Sequence, residues 1–244
     1  MSRKRLDQLV FDRKLAESRE KAQRLIRAGL VRVEGQVQSK PGHLFPEETL
    51  LELTAQEPFV GRGGKKLEAA FQQFALTVSK KICLDVGASA GGFTDCLLQH
   101  GAQHVYAVDV GKGQLHWRLR NHPSVIVMEK VNARSLTPRQ FDPRPSFCCI
   151  DVSFISLTKI LPAVKEVLID GSKLVTLIKP QFEAGKKHVE KGGVVCNPAV
   201  HKDVVNRIRF FGTDELGLVL KGLMLSPLKG PAGNIEYLAY WEKP

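Results

Sequence analysis

The chain has 244 residues and a mass of 27.1 kDa, which suits one large domain or a large domain with a small appendage. Its 43% hydrophobic and 25% charged residues exclude a disordered chain, and no apolar run is long enough for a membrane span. The 36 Lys and Arg against 25 Asp and Glu give a net charge of +11, which favours a polyanionic partner such as nucleic acid. Five cysteines without a C-x-x-C pair indicate a reducing compartment, so we expect a soluble cytoplasmic protein.

The N-terminal segment 1–32 is the most basic part of the chain, with ten Lys and Arg against four Asp and Glu. Ser18 is typical of a helix N-cap, and Gly29 is typical of the left-handed residue after a helix. Alternating residues over 31–37 then predict a hairpin, and residues 50–53 predict a further short strand. Together these patterns predict a small α+β domain.

The basic residues of this domain have two interpretations. Most charge runs form a solvated face. Here the charge recurs on one short helix beside an intact apolar stripe, so we favour contact with nucleic acid. The motifs Ser18-Arg-Glu-Lys-Ala, Leu25-Ile-Arg-Ala-Gly and Val31-Arg-Val-Glu-Gly resemble the S4-type RNA-binding module, which implies binding of structured RNA. The residues predicted to contact RNA here are Arg3, Arg5, Arg19, Lys21, Arg24 and Arg27.

A Pro- and Gly-rich segment over 56–64 predicts a linker. We place the small domain at residues 1–58, the linker at 59–62 and a large domain at 63–244. The large domain alternates apolar strand-like runs with helical stretches, which predicts an α/β fold: a mostly parallel, Rossmann-like sheet closed by an antiparallel terminal hairpin. The strand-like runs are 82–86, 105–108, 125–128, 147–150, 174–178, 219–225 and 235–241, and the helical stretches are 93–100, 115–121, 157–168 and 198–211.

A glycine-rich turn over 84–95 connects the first strand of the large domain to a helix. It is not a G-x-G-x-x-G dinucleotide site, because Ser89 replaces the second glycine. It does match G-x-S-x-G, the nucleophile elbow of α/β-hydrolases, although that elbow follows several strands of its sheet. The third interpretation is a pocket for S-adenosylmethionine (SAM), in which Asp109 at the end of the second strand accepts the ribose hydroxyls.

We favour the SAM pocket because three features occur together: the glycine turn, Asp109 at the end of the second strand, and Asn132 just after the third strand. Asp85 would then lie beside the methionine end of the cofactor, where its charge matches the ammonium or sulfonium. The residues predicted to bind SAM are Asp85, Gly87, Ser89, Gly91, Gly92, Phe93, Asp109 and Asn132.

Four charged residues lie at the boundaries of predicted strands and helices: Lys66, Asp151, Lys179 and Glu236, called the tetrad below. Asp151 and Lys179 close the fourth and fifth strands, Glu236 opens the last strand, and Lys66 lies just inside the first helix of the large domain. Each one alone is best explained as an exposed charge. As a set they can handle a proton, since a partly desolvated lysine beside a second cation becomes a usable base. Lys179 would take the proton, and Asp151 with Lys66 would set its charge state. Glu236 would position the lysine or the ribose. Lys65 is an alternative to Lys66.

The motifs Arg62-Gly-Gly-Lys-Lys-Leu, Asp151-Val-Ser-Phe-Ile-Ser and Lys179-Pro-Gln-Phe-Glu are similar to those of FtsJ-type ribose 2′-O-methyltransferases. With the small domain in front, the whole chain resembles the TlyA family, which is often labelled haemolysin. The resemblance implies that the tetrad is catalytic, with Lys66 chosen because it immediately precedes the leucine of the pattern. It also implies SAM-dependent 2′-O-methylation of cytidine in ribosomal RNA, chemistry that requires no metal in principle.

Three other functions stay open at this point: a membrane-active haemolysin, a non-catalytic RNA-binding protein, and an α/β-hydrolase with Ser89 as its nucleophile. The basic segment 183–194 also has two interpretations. It is either a mobile surface loop or a lid in which Lys186 and Lys187 grip RNA phosphates.

Overall fold

The computed structural model describes residues 3–54 and 58–244, which form two compact units on either side of positions 55–57. Gln56 and Glu57 of the predicted linker region therefore lie outside the described residues. Residues 59–62, also assigned to the linker, belong to the larger unit here. Phe59 is buried in its core, and the backbone N–H of Val60 donates to a carboxylate oxygen of Asp95 at 2.8 Å.

Residues 3–54 of the smaller unit form two helices and two small antiparallel sheets. One sheet has the order β3-β2-β5, and the other pairs β1 with β4. The elements are β1 (Arg3–Arg5), α1 (Leu6–Asp12), α2 (Arg19–Arg27), β2 (Val31–Val33), β3 (Gln36–Gln38), β4 (Leu44–Pro46) and β5 (Leu51–Leu53).

The predicted local signals of this unit are confirmed. The Ser18 hydroxyl accepts a hydrogen bond from the Lys21 backbone N–H at 3.1 Å and caps α2. Gly29 follows the helix with φ +71°, and the hairpin turns through Glu34 and Gly35 with φ of 48° and 77°. The sequence analysis misses β1, β4 and α1, because these elements have only three to seven residues and α1 carries no side-chain cap.

The larger unit is a seven-stranded sheet with helices on both faces, as predicted. The strand order is β11-β12-β10-β9-β6-β7-β8, in which β6 to β10 are parallel and β12 is antiparallel to both of its neighbours. Its strands are β6 (Ile82–Val86), β7 (His104–Asp109), β8 (Val125–Glu129), β9 (Phe147–Ile150), β10 (Lys173–Ile178), β11 (Val219–Leu225) and β12 (Tyr237–Glu242). Its α-helices are α3 (Gly63–Gln73), α4 (Gly92–Gln99), α5 (Trp117–Arg120), α6 (Leu161–Val167), α7 (Pro180–Glu183) and α8 (Pro198–Phe210).

The structure corrects several predicted boundaries. The stretch 157–168 is a 3₁₀ turn followed by α6, and only four residues of 115–121 are helical. The last strand begins at Tyr237, so Glu236 lies in the connection just before it. The terminal hairpin is present, but β12 lies between β10 and β11 because it pairs with both strands.

The topology fixes where a ligand can bind. The chain runs from β6 outward to β7 and β8, and then returns to the other side of β6 with β9. Open α/β sheets bind ligands at such a switch point, beyond the carboxyl ends of the strands. None of the helices in the described part of the chain is long and apolar enough to cross a membrane.

Candidate active site

The glycine turn after β6 packs tightly against the segment that follows β9. Gly87 has φ +86°, and a Cβ atom there would lie 2.3 Å from the carbonyl oxygen of Asp151. At Gly91, with φ +100°, a Cβ atom would lie 2.2 Å from a methyl group of Leu119. Both the left-handed backbone and the close approach therefore require glycine at these two positions.

Asp109 at the end of β7 holds this turn. One of its carboxylate oxygens accepts from the backbone N–H of Ser89 at 2.8 Å, and the other accepts from that of Gly111 at 2.7 Å. Because each carboxylate oxygen has a second lone pair, Asp109 can still accept two ribose hydroxyls. The sequence analysis predicts those hydroxyl bonds but not the two backbone bonds.

A cavity of about 390 Å³ opens beside this carboxylate, and we call it the Asp109 cavity. Apolar side chains such as Val131 and Ile155 line one part of it, and Asn132 lies on its wall. The Asn132 side-chain oxygen accepts from the Arg134 backbone N–H at 3.1 Å and caps a 3₁₀ turn. The Asp109 carboxylate can bind a ribose and the apolar wall can bind a base, so this cavity fits the nucleoside part of SAM.

Asp85, predicted beside the methionine end of SAM, lines neither the Asp109 cavity nor the tetrad cavity described below. It is fully buried, and the Thr94 hydroxyl donates to it at 2.6 Å. Burial raises the pKa of Asp85 to about 7, and the nearby charge of Asp151 adds to this, while the Thr94 bond opposes it. The carboxyl group of Asp85 therefore bonds within the fold, and its contact with SAM stays a prediction.

A second cavity, of about 470 Å³, brings the whole tetrad together, and we call it the tetrad cavity. Nζ of Lys66 lies 2.5 Å from Oε2 of Glu236, and Nζ of Lys179 lies 2.5 Å from Oδ1 of Asp151. Lys66, Lys179 and Glu236 are each buried. The tetrad is therefore two lysine–carboxylate pairs facing one space.

One carboxylate oxygen of the tetrad has neither a hydrogen bond nor an ion pair among the described residues. Oε1 of Glu236 is buried, and no described group donates a hydrogen bond to it. An unsatisfied buried carboxylate oxygen is unfavourable unless a ligand donates to it. The atom therefore fits a hydroxyl group of a substrate.

The two cavities meet at four residues, and this contact defines the site. Gly87, Ser89, Asp151 and Ser153 line both of them. Phe93, Gly92 and Lys66 line only the tetrad cavity. A ligand bound in the Asp109 cavity can thus reach a second ligand held by the tetrad.

The sequence analysis missed two residues beside Asp151. The Ser153 hydroxyl accepts from Nζ of Lys179 at 3.1 Å. Phe154 is 90% exposed with φ +65°, and its ring centroid lies 5.0 Å from that of Phe182. An exposed aromatic residue in a left-handed conformation is unusual, and only the motif Asp151-Val-Ser-Phe pointed to this position.

The predicted RNA-contacting residues differ in their surroundings. Arg5 and Arg19 lie against the buried Asp7, with nitrogen–oxygen distances of 2.9 and 3.4 Å. The hydrogen bonds from Arg5 lower the pKa of Asp7 to about 2, despite the opposing effect of burial. The candidates that are exposed and without a carboxylate partner among the described residues are Arg3, Lys21, Arg24, Arg27, Lys186 and Lys187.

The sheet, the glycine turn and the acidic second-strand end together define a Rossmann-like methyltransferase that uses SAM. Residues 59–243 match the FtsJ-like methyltransferase family, and residues 4–49 match the S4 domain. The chain belongs to the FtsJ-like methyltransferase family and carries an S4 domain at its N-terminus.

Similar proteins span nearly the whole chain. It is 47% identical to a protein of Bacillus subtilis named provisionally as the rRNA methyltransferase YqxC, over 99% of this chain and 86% of that protein. It is 44% identical to the 16S/23S rRNA (cytidine-2′-O)-methyltransferase TlyA of Mycobacterium tuberculosis, over 98% of this chain and 89% of that protein. A solved structure described provisionally as a hemolysin from Streptococcus thermophilus is 46% identical, covers 100% of this chain and 89% of its own, and superposes with a TM-score of 0.76.

Proposed function

We propose that this protein transfers the methyl group of SAM to the ribose 2′-hydroxyl of a cytidine in ribosomal RNA, in the cytoplasm. The observation that carries the proposal is the pair of adjoining cavities. One presents a carboxylate suited to a nucleoside ribose, and the other presents two buried lysine–carboxylate pairs. The S4 domain and the similarity to rRNA methyltransferases support RNA as the substrate.

Lys179 is the group that takes the proton in this proposal. When bound, SAM supplies an electrophilic methyl group, and the hydroxyl that receives it must lose a proton. Nζ of Lys179 is held by Asp151 at 2.5 Å and by Ser153 at 3.1 Å. Asp151 stabilises the ammonium once Lys179 has gained the proton, and it lines both cavities, so the proton is released where the methyl group arrives.

Lys66 and Glu236 position the ribose. Lys66 was also predicted, with Asp151, to set the charge state of Lys179, and in the structure it is paired with Glu236. That pair leaves Oε1 of Glu236 free to accept from a ribose hydroxyl. Holding both reactants in one geometry supplies most of the acceleration in such a reaction.

Tritium-labelled SAM tests the proposal directly. The protein is incubated with labelled SAM and, separately, with 30S subunits, 50S subunits and naked ribosomal RNA. We expect tritium in at least one of these RNAs, and none with a Lys179→Met variant that still binds SAM. If no RNA is labelled although SAM binding by the wild-type protein is intact, the enzyme proposal is wrong and a non-catalytic RNA-binding role takes its place.

A further inference from the structure

Two cations at the rim of the tetrad cavity have no part in the tetrad. Arg62 and Lys229 line this cavity, and both side chains are exposed. Arg62 is the N-cap residue of α3, and Lys229 lies in the connection between β11 and β12. They therefore come from two separate segments of the larger unit.

Both cations flank the tetrad carboxylates. A Cβ atom at Gly63, next to Arg62, would lie 4.0 Å from Oδ2 of Asp151. A Cβ atom at Gly230, next to Lys229, would lie 2.7 Å from Oε1 of Glu236. Each cation thus adjoins, along the chain, a glycine that packs close to one of the two carboxylates.

The segment that carries Lys229 is held in place by hydrogen bonds. The Ser226 hydroxyl donates to the carbonyl of Leu228 at 2.7 Å, and the Gly230 backbone N–H donates to that of Asn234 at 2.9 Å. Asn234 is buried, and its side chain accepts from the Val195 backbone N–H at 3.0 Å. The backbone at Lys229 is therefore fixed before a substrate binds.

The charges of the cavity do not balance. Four cations line it, and two of them, Lys66 and Lys179, are paired with the two carboxylates. Within residues 3–54 and 58–244, neither Arg62 nor Lys229 forms an ion pair with a carboxylate. The formal excess is therefore 4 − 2 = +2, and the N-termini of α3 and α4, which meet where Gly92 packs on Gly64, add to the positive potential.

We infer that Arg62 and Lys229 bind the two phosphates on either side of the target ribose. A ribose inside an RNA strand carries a phosphate on its 5′ side and another on its 3′ side, so two anions accompany its 2′-hydroxyl. Two unpaired cations flanking the tetrad match that arrangement in number and sign. The inference rests on the proposed function, and it makes an internal nucleotide, rather than a free nucleoside, the substrate.

Arg62→Gln and Lys229→Gln test the inference, with Lys202→Gln as the matched control, because Lys202 is exposed on α8 and lines neither cavity. Equilibrium binding to naked ribosomal RNA is measured across a salt series for each variant. Removing one phosphate contact should lower the slope of log affinity against log salt by about 0.7 for single-stranded RNA. Transfer to RNA, as kcat/KM, should fall about tenfold for each variant.

SAM affinity should stay within about twofold of wild type, because neither residue lines the Asp109 cavity. Arg62→Lys and Lys229→Arg keep the charge and should keep the wild-type slope. An unchanged slope in both glutamine variants, or the same loss in the charge-conserving variants, would overturn the inference. Binding reports on the phosphate contacts even if no methyl is transferred, so altered slopes without transfer would refute only the proposed function.

Discussion

Replacing Lys179 by arginine separates proton acceptance from charge. Nζ of Lys179 contacts Asp151 at 2.5 Å in a cavity where the lysine side chain is only 10% exposed. Arginine keeps the positive charge opposite Asp151, but its guanidinium does not become neutral in proteins. The variant should therefore keep RNA and SAM binding and lose the chemical step.

The expected loss of rate follows from the role of Lys179 as the general base. Loss of a general base costs roughly 10²–10⁴ in rate, which corresponds to about 2.7–5.4 kcal/mol of activation free energy. Single-turnover methyl transfer with saturating SAM and RNA measures this step without product release. The wild-type rate should also climb with pH, because the base must be neutral before it accepts the proton.

Lys66→Arg is the control for the size and shape of the substitution. Lys66 is buried like Lys179 and also lies 2.5 Å from a carboxylate, but it only positions Glu236 in the proposed mechanism. Its variant should keep the wild-type pH dependence and lose less activity. A Lys179→Arg protein that retains more than about a tenth of the wild-type single-turnover rate would refute the assignment of Lys179 as the base.

Three further predictions concern the cofactor, the small unit and acid stability. Asp109→Ala should weaken SAM binding by about 1–3 kcal/mol in calorimetry and leave RNA binding without cofactor unchanged, whereas equal losses would indicate a damaged fold. Deletion of residues 1–58 should leave a SAM-binding protein whose RNA affinity depends less on salt, and parental kcat/KM on ribosomal RNA would contradict this. Asp7, with a pKa of about 2, should add roughly 2 kcal/mol of stability above pH 4 that is lost as the pH falls from about 4 to 2. Denaturant unfolding of wild type and Asp7→Asn across that range checks it, and a stability difference that does not change with pH would contradict it.

Short-range patterns predicted most of the fold. The runs at 82–86, 147–150 and 219–225 coincide with strands. Each is a short, mostly apolar segment bounded by turn residues, which is the pattern of a strand. The order of the last strands was not predictable in the same way. The position of β12 between β10 and β11 depends on pairing on both of its sides, which periodicity does not encode.

The same limit applies within the site. The tetrad residues were predicted from their places at strand ends and from family motifs. Which lysine pairs with which carboxylate was not predicted. Lys66 and Glu236 are 170 positions apart, and only the folded sheet brings them to 2.5 Å. The burial of Asp85 has a similar origin, since it depends on Thr94 and Cys149, which close over the carboxylate from α4 and β9. A carboxylate at the end of a strand can face a ligand or the interior, and the sequence alone does not distinguish these two cases.

The position of the transferred methyl group in the RNA distinguishes ribose methylation from base methylation. Ribosomal RNA labelled by the wild-type protein with tritiated SAM is hydrolysed in alkali, which cleaves every linkage except one next to a 2′-O-methyl ribose. We expect the tritium to remain in an alkali-resistant dinucleotide whose 5′ residue is 2′-O-methylcytidine. Tritium in mononucleotides, which places the methyl group on a base, or no tritium in RNA although SAM binds, would contradict it.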